Sequence, residues 1–142
     1  MKNLALALCA ALITLPVLAD APAAPLAPVP AKALEQRLGE AGLVVLDVRT
    51  PEEYAAGHVP GAINVPHDQV EGRLAELAGA KDQEVVLYCR SGRRVQVAAG
   101  VLAKAGFTRL SHLEGDFPGW SEAGLPTQVT APAASSTAVA AP

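Results

Sequence analysis

The chain has 142 residues, 51% of them hydrophobic but only 4% aromatic, and a net charge of −3 from 11 basic and 14 acidic side chains. That length suits one domain. The acidic balance argues against a nucleic-acid binder, and two cysteines cannot build a disulfide scaffold or a four-cysteine zinc site. The averages conceal a partition. Residues 31–129 hold all five aromatics and 23 of the 25 charged residues, whereas the 43 residues outside hold 7 of the 12 prolines and 15 of the 29 alanines. The chain therefore reads as a 99-residue core, enough for hydrophobic burial, between two biased ends.

Residues 1–19 have the three-part layout of a secretory signal peptide: Lys2, an apolar run from Leu4 to Leu15 broken only by Thr14, then Val17 and Ala19 before the cut. The apolar run is shorter than the ~18–20 residues that span a bilayer, and Pro16 interrupts it. Export to the periplasm is the expectation, with no membrane attachment after cleavage. Cys9 then leaves with the signal, and Cys89 becomes a lone cysteine in an oxidising compartment, which suggests a reactive thiol or an intermolecular bridge. Residues 20–30 read as an extended Ala/Pro linker. Residues 130–142 read as a disordered Ala/Ser/Thr/Pro tail, because neither end can bury enough side chain to offset ordering entropy.

The core opens with a helix over Ala31 to Ala41, with Leu34, Leu38 and Ala41 on one face and Gly42 as its stop. Leu43 to Leu46 is a continuous apolar run, as in a strand covered on both faces. Thr50, Pro51 and Glu53 form a capping box for a short helix ended by Gly57. Ala62 to Val65 is a short strand. Asp68 and Glu71 read as a second capping box, opening a helix with Leu74 and Leu77 on one face. Glu84 to Tyr88 is a buried strand. Arg93 to Ala105 is a helix with Val95, Ala98, Ala99 and Leu102 on one face, and Arg109 to Leu113 is a last strand before a helical turn from Phe117 to Ala123 around Trp120. Strands alternating with helices predict an α/β fold, a mostly parallel sheet covered by helices on both faces.

In such sheets ligands bind beyond the carboxyl ends of the strands, and Cys89 follows the strand ending at Tyr88. The segment is Cys89, Arg90, Ser91, Gly92, Arg93, Arg94. A thiol attacks only as its thiolate, and an ordinary free cysteine at ~8.5 is only a few per cent ionised at neutral pH. A helix N-terminus offers unpaired N–H groups to an anion. Three arginines add charge that cannot be removed by deprotonation, and Gly92 permits the sharp turn that aims successive N–H groups inward. The cradle suits a thiolate, a persulfide or a small oxyanion.

This loop resembles the active-site loop of the single-domain rhodaneses, the thiosulfate sulfurtransferases. Leu46 to Tyr54 and Gly57 to Asn64 are similar to that family's N-terminal motif, and Leu113-Glu114-Gly115, Phe117 to Trp120 and Gly124-Leu125-Pro126 to its C-terminal motif. The resemblance implies a rhodanese-like fold over residues 31–129. It implies a two-step cycle in which Cys89 takes sulfane sulfur from thiosulfate as a persulfide and passes it to cyanide or a thiol. Arg90, Ser91, Gly92, Arg93 and Arg94 would bind the persulfide and the dianionic donor. Small-molecule donor and acceptor are then the partners, with no cofactor and a monomeric chain. Asp116 stands where relatives often have a second glycine, and the expectation is a changed turn that does not touch the nucleophile.

Asp47 and Arg49 lie at the same sheet edge and read as a structural pair near the site, since buried charges need partners. His58, His67 and His112 share no metal-ligand spacing, so no metal is expected. Trp120 reads as core, and Glu52, Glu53, Glu71 and Glu76 as caps or solvated faces. Two rival readings remain. A cysteine-dependent phosphatase or arsenate reductase needs arginine six positions after the cysteine, where this chain has Val95. A non-enzymatic persulfide carrier or binding module would use the same Cys89.

Overall fold

The computed structural model describes residues 25–130. The expected signal peptide (1–19), the first part of the expected linker (20–24) and nearly all of the expected tail (131–142) lie outside the described residues. The fold grows from two central strands, β2 (Leu43–Asp47) and β4 (Glu84–Tyr88). Successive side chains of a strand point to opposite faces. Val85, Leu87 and, just past the strand, Cys89 therefore join one hydrophobic cluster, while Val86 and Tyr88 join the other. β2 splits the same way, Leu46 to the first and Val45 to the second. An apolar run without alternation is thus the signature of a strand buried on both faces.

The remaining strands are β1 (Ala27–Val29), β3 (Ile63–Asn64) and β5 (Leu110–Leu113), and the sheet order is β1-β5-β4-β2-β3 with every pair parallel. Helices α1 (Ala31–Arg37), α2 (Pro51–Ala56), α3 (Leu74–Leu77), α4 (Arg93–Lys104) and α5 (Asp116–Glu122) connect them. α4 packs Val95, Ala98, Ala99 and Leu102 on the face carrying Leu87 and Cys89. α1 and α5 cover the other face through Leu34 and Trp120, both fully buried. Trp120 also donates its indole N–H to the Pro126 carbonyl at 2.8 Å, so its one polar atom is satisfied inside the core.

The structure departs from the sequence-based expectation at three places. Part of the Ala/Pro segment is not an extended linker: Ala27–Val29 pairs with Ser111–Leu113 as an edge strand. Pro28 is tolerated there because an edge strand needs a partner on one side only. The helix expected over 31–41 is shorter, ending at Arg37, with Gly39 and Gly42 both left-handed. Asp68 does not cap a regular helix. That stretch is a 3₁₀ turn (Glu71–Arg73), the four residues of α3 and a second 3₁₀ turn (Ala78–Ala80), none with a side-chain cap. Its buried positions Leu77 and Ala80 are three apart, the repeat of a 3₁₀ helix.

Candidate functional site

β2 and β4 are in register, with Asp47 opposite Tyr88, so the turns that follow them leave the sheet edge side by side. The first turn is closed by its own side chains. Asp47 is fully buried and Arg49 is 4% exposed. Arg49 Nη2 donates to Asp47 Oδ2 at 2.6 Å, and its backbone N–H and Nε reach Oδ1 at 2.9 and 3.0 Å. The same guanidinium donates to the Gly57 carbonyl and lies over the Phe117 ring at 4.1 Å. Burial opposes the Arg49 charge, and the bonds to Asp47 outweigh it, so its proton is held more tightly than usual. These two residues anchor the turn. The α2 cap forms as read from the sequence: Thr50 Oγ1 accepts from Glu53 N–H, and the Glu53 carboxylate accepts from Thr50 N–H.

The second turn runs from Cys89 to Gly92 and opens α4. Cys89 is fully buried, and its Sγ accepts a hydrogen bond from the Gly92 N–H at 3.0 Å. Gly92 reaches that position with φ +81, a left-handed conformation that suits glycine, and it caps α4 without any side-chain bond. The Cys89 carbonyl accepts from Phe117 N–H at 3.0 Å, and the Cys89 N–H donates to Asp116 Oδ1 at 2.8 Å. The expectation that Asp116 leaves the nucleophile untouched is therefore corrected. The changed turn is there, with Gly115 at φ 76 and Asp116 at φ 54, but it swings the carboxylate onto the cysteine's own backbone.

The three arginines separate. Arg90 and Arg93 are exposed, as is Ser91. Arg94 turns back to Glu53 in a two-pronged ion pair at 2.6 and 3.0 Å, tying the start of α4 to α2. The bonds from Arg94 hold the Glu53 carboxyl down at about 2, against the opposing effect of burial. Arg94 is thus a fastener of the loop that also sets a positive charge near Cys89, and Arg90 is the arginine beside open space. A depression of about 260 Å³ lies there, lined by Arg49, Glu53, Ala56, Gly57, Arg90, Phe117 and Pro118. A hollow of about 310 Å³ beside β1 has a mainly apolar lining that includes Leu26, Ala99, Phe107 and Leu110, with no titratable side chain.

The histidines are dispersed. His58 stacks on Tyr54 at 3.7 Å between ring centroids, His67 lies beyond β3, and His112 pairs with Asp116 at 2.9 Å. The sequence reading missed the contacts that bring three residues, Asp116, His112 and Glu53, to the Cys89 turn. For Glu53 the capping box was a true but partial signal. For Asp116 the only signal was its standing at a position of glycine character.

A family model described as the rhodanese-like domain matches residues 30–123. A sulfurtransferase of Allochromatium vinosum is 40% identical over 96 residues, covering 67% of this chain and 88% of that protein. The thiosulfate sulfurtransferase PspE of Escherichia coli is 39% identical over 70 residues, 49% of this chain and 67% of that one. Other curated relatives are longer, and the chain spans between 42% and 57% of five of them. Among solved structures, the rhodanese-like domain of an Anabaena protein superposes with a TM-score of 0.64 at 29% identity, covering 81% of this chain and 86% of that domain.

Proposed function

The chain belongs to the rhodanese-like family, whose members similar to it include sulfurtransferases, and on that premise we propose that it moves sulfane sulfur from thiosulfate to cyanide or a thiol through a persulfide on Cys89. The observation that carries this reading is the 3.0 Å hydrogen bond from Gly92 N–H to Cys89 Sγ at the mouth of α4. A backbone donor and a helix N-terminus favour the thiolate over the thiol. They also favour the terminal sulfur of a persulfide, which carries the same charge one atom farther out.

In the first step the Cys89 thiolate attacks the outer sulfur of thiosulfate. A Cys89–sulfur bond forms, the sulfur–sulfur bond of the donor breaks, and sulfite leaves with its electron pair. In the second step the acceptor, cyanide or a thiolate, attacks the terminal sulfur of the persulfide and the Cys89 thiolate is released. Ping-pong kinetics follow from the covalent intermediate. Exposed Arg90 steers and holds the dianionic donor, with Arg93 adding to the field. The phosphatase reading lacks its arginine: the position six after Cys89 is Val95, fully buried in α4.

Intact mass spectrometry after thiosulfate treatment tests the proposal. One added sulfur atom is expected, absent in Cys89→Ser, whose thiosulfate:cyanide turnover falls by at least about 10³-fold. An unmodified wild-type mass, or turnover that survives the substitution, overturns it. We further propose export with cleavage after Ala19. The same mass measurement reads this on the protein recovered from cells, where a chain beginning at Asp20 is expected and an intact Met1 end would overturn it.

A further inference from the structure

Beside Cys89 stands a polar pair that the proposed reaction does not use. Asp116 is 6% exposed, with φ 54, a conformation that aspartate tolerates better than most residues because its short side chain bonds locally. Its Oδ1 accepts from Cys89 N–H at 2.8 Å and from His112 Nε2 at 2.9 Å. Its Oδ2 faces the turn: a Cβ built on Gly92 would lie 3.5 Å from it and 3.3 Å from His112 Cε1. The pair therefore abuts both residues that make the Sγ contact, Cys89 through its backbone and Gly92 through its bare Cα.

That placement has an electrostatic cost. A buried carboxylate this close to a nucleophile opposes the thiolate as a like charge. Burial alone would push the Asp116 carboxyl up, but the bonds from His112 and Cys89 N–H outweigh it and hold it below the ordinary range, so it is an anion at neutral pH. An ionised carboxylate only accepts, so His112 Nε2 carries the hydrogen. Arg94, a cation that acts on Cys89, is already committed to Glu53.

We propose that His112 and Asp116 are a positioning pair for the Cys89 loop, the carboxylate tying down the Cys89 N–H and the imidazole offsetting the carboxylate's charge against the Cys89 thiolate. This rests on the reading of Cys89 as the sulfur acceptor. The carboxylate gives the strand-to-loop junction a rigid anchor that a glycine at position 116 could not provide. The imidazole makes that anchor compatible with an anionic nucleophile.

The test compares His112→Leu, Asp116→Gly and the double variant His112→Leu/Asp116→Asn with the wild type at neutral pH. Two quantities are read: thiolate ultraviolet absorbance, taken as the difference from Cys89→Ser, and the single-turnover rate of persulfide formation from thiosulfate. His112→Leu removes the donor and leaves the carboxylate uncompensated, so thiolate absorbance and rate both fall about threefold to tenfold. Asp116→Gly suits the left-handed backbone and removes both charge and tether. Thiolate absorbance then stays at or above wild type while the rate falls about tenfold. The double variant returns thiolate absorbance to within about twofold of wild type.

Unchanged absorbance in His112→Leu, or reduced absorbance in Asp116→Gly, makes the pair a packing feature and overturns the proposal. Should His112→Leu fail to fold, the contrast between Asp116→Gly and wild type decides alone. The absorbance needs no sulfur transfer. A protein inert to thiosulfate whose absorbance follows this order refutes the proposed reaction and keeps the pair; persulfide formation with absorbance indifferent to every variant does the reverse.

Discussion

Two turns leave the same edge of the sheet, one after β2 and one after β4, and they start their helices in opposite ways. After Asp47 the buried charge and the helix start are met by side chains of the turn itself: Asp47 takes Arg49, Thr50 and Glu53 cap α2, and Pro51 occupies a helical position that needs no donor. After Tyr88 the helix begins at a left-handed glycine with no side-chain cap, and the Gly92 N–H goes to a sulfur. The first turn is closed by its own sequence and rigidifies the edge. The second is braced from outside, by Arg94 on Glu53 and by Asp116 on Cys89, and keeps its helix start for an anion. On the proposed reading of Cys89, stability is concentrated in one turn and chemistry in its neighbour.

The widest break in that comparison is Asp47→Asn. It leaves Arg49, 4% exposed, without its charged partner, and removing one member of a buried pair costs about 3–5 kcal/mol. Denaturant unfolding should show that loss. A loss below about 1 kcal/mol would mean that the first turn is not the stability element described here.

Gly92→Ala strikes the other turn and should do the opposite. A side chain at φ +81 costs about 1–2 kcal/mol, and its Cβ would press on His112 Cε1 at 3.3 Å. Displacing the donor to Sγ should lower the rate of persulfide formation about 10²-fold, measured by quenched mass spectrometry. Activity retained alongside the stability loss would erase the contrast between the turns.

The smallest effect is expected for Glu53→Gln, which loosens the tie between them. Both side chains keep part of their surface in water, 24% and 28%, which limits the neutral-pH loss to about 1 kcal/mol. Its pH dependence is the sharper readout. The Glu53 carboxyl is depressed to about 2 in the folded chain, so its contribution is fully present above the unfolded value and disappears as pH falls through the folded one. The stability gap between wild type and Glu53→Gln should therefore close on acidification from about pH 4.5 towards pH 2. A gap that persists at the acid end would show that Arg94 does not act on Glu53 as a charge.

The fold was legible where the signal was local. The unbroken apolar runs of Leu43 to Leu46 and Val85 to Leu87 marked two doubly buried strands, and Arg93 onward carried a clear helical face. The segment from Asp68 to Ala80 was not: Val70, Leu74 and Leu77 keep a helical spacing, but Gly72 and Gly79 interrupt it, so a capping pattern led into turns of 3₁₀ helix. In the site, Cys89 and Gly92 could be read from a strand end, a glycine and a helix start within six residues. Asp116 could not, since composition near position 116 says nothing about position 89.

By itself the sequence determined what lies within a few residues of chain: which runs bury both faces, that Thr50 and Glu53 cap a helix, and that a cysteine is delivered to a helix start. Tertiary structure decided what depends on strand order. Placing β5 beside β4, and β1 beyond it, turned Ala27–Val29 into an edge strand and set Asp116, 27 residues away, on the Cys89 N–H. Placing β2 on the other side of β4 set Glu53 on Arg94 across 41 residues and committed one of the three arginines to a carboxylate. Periodicity and capping are written in neighbouring residues, whereas the partner of a buried charge is chosen by which strands lie together.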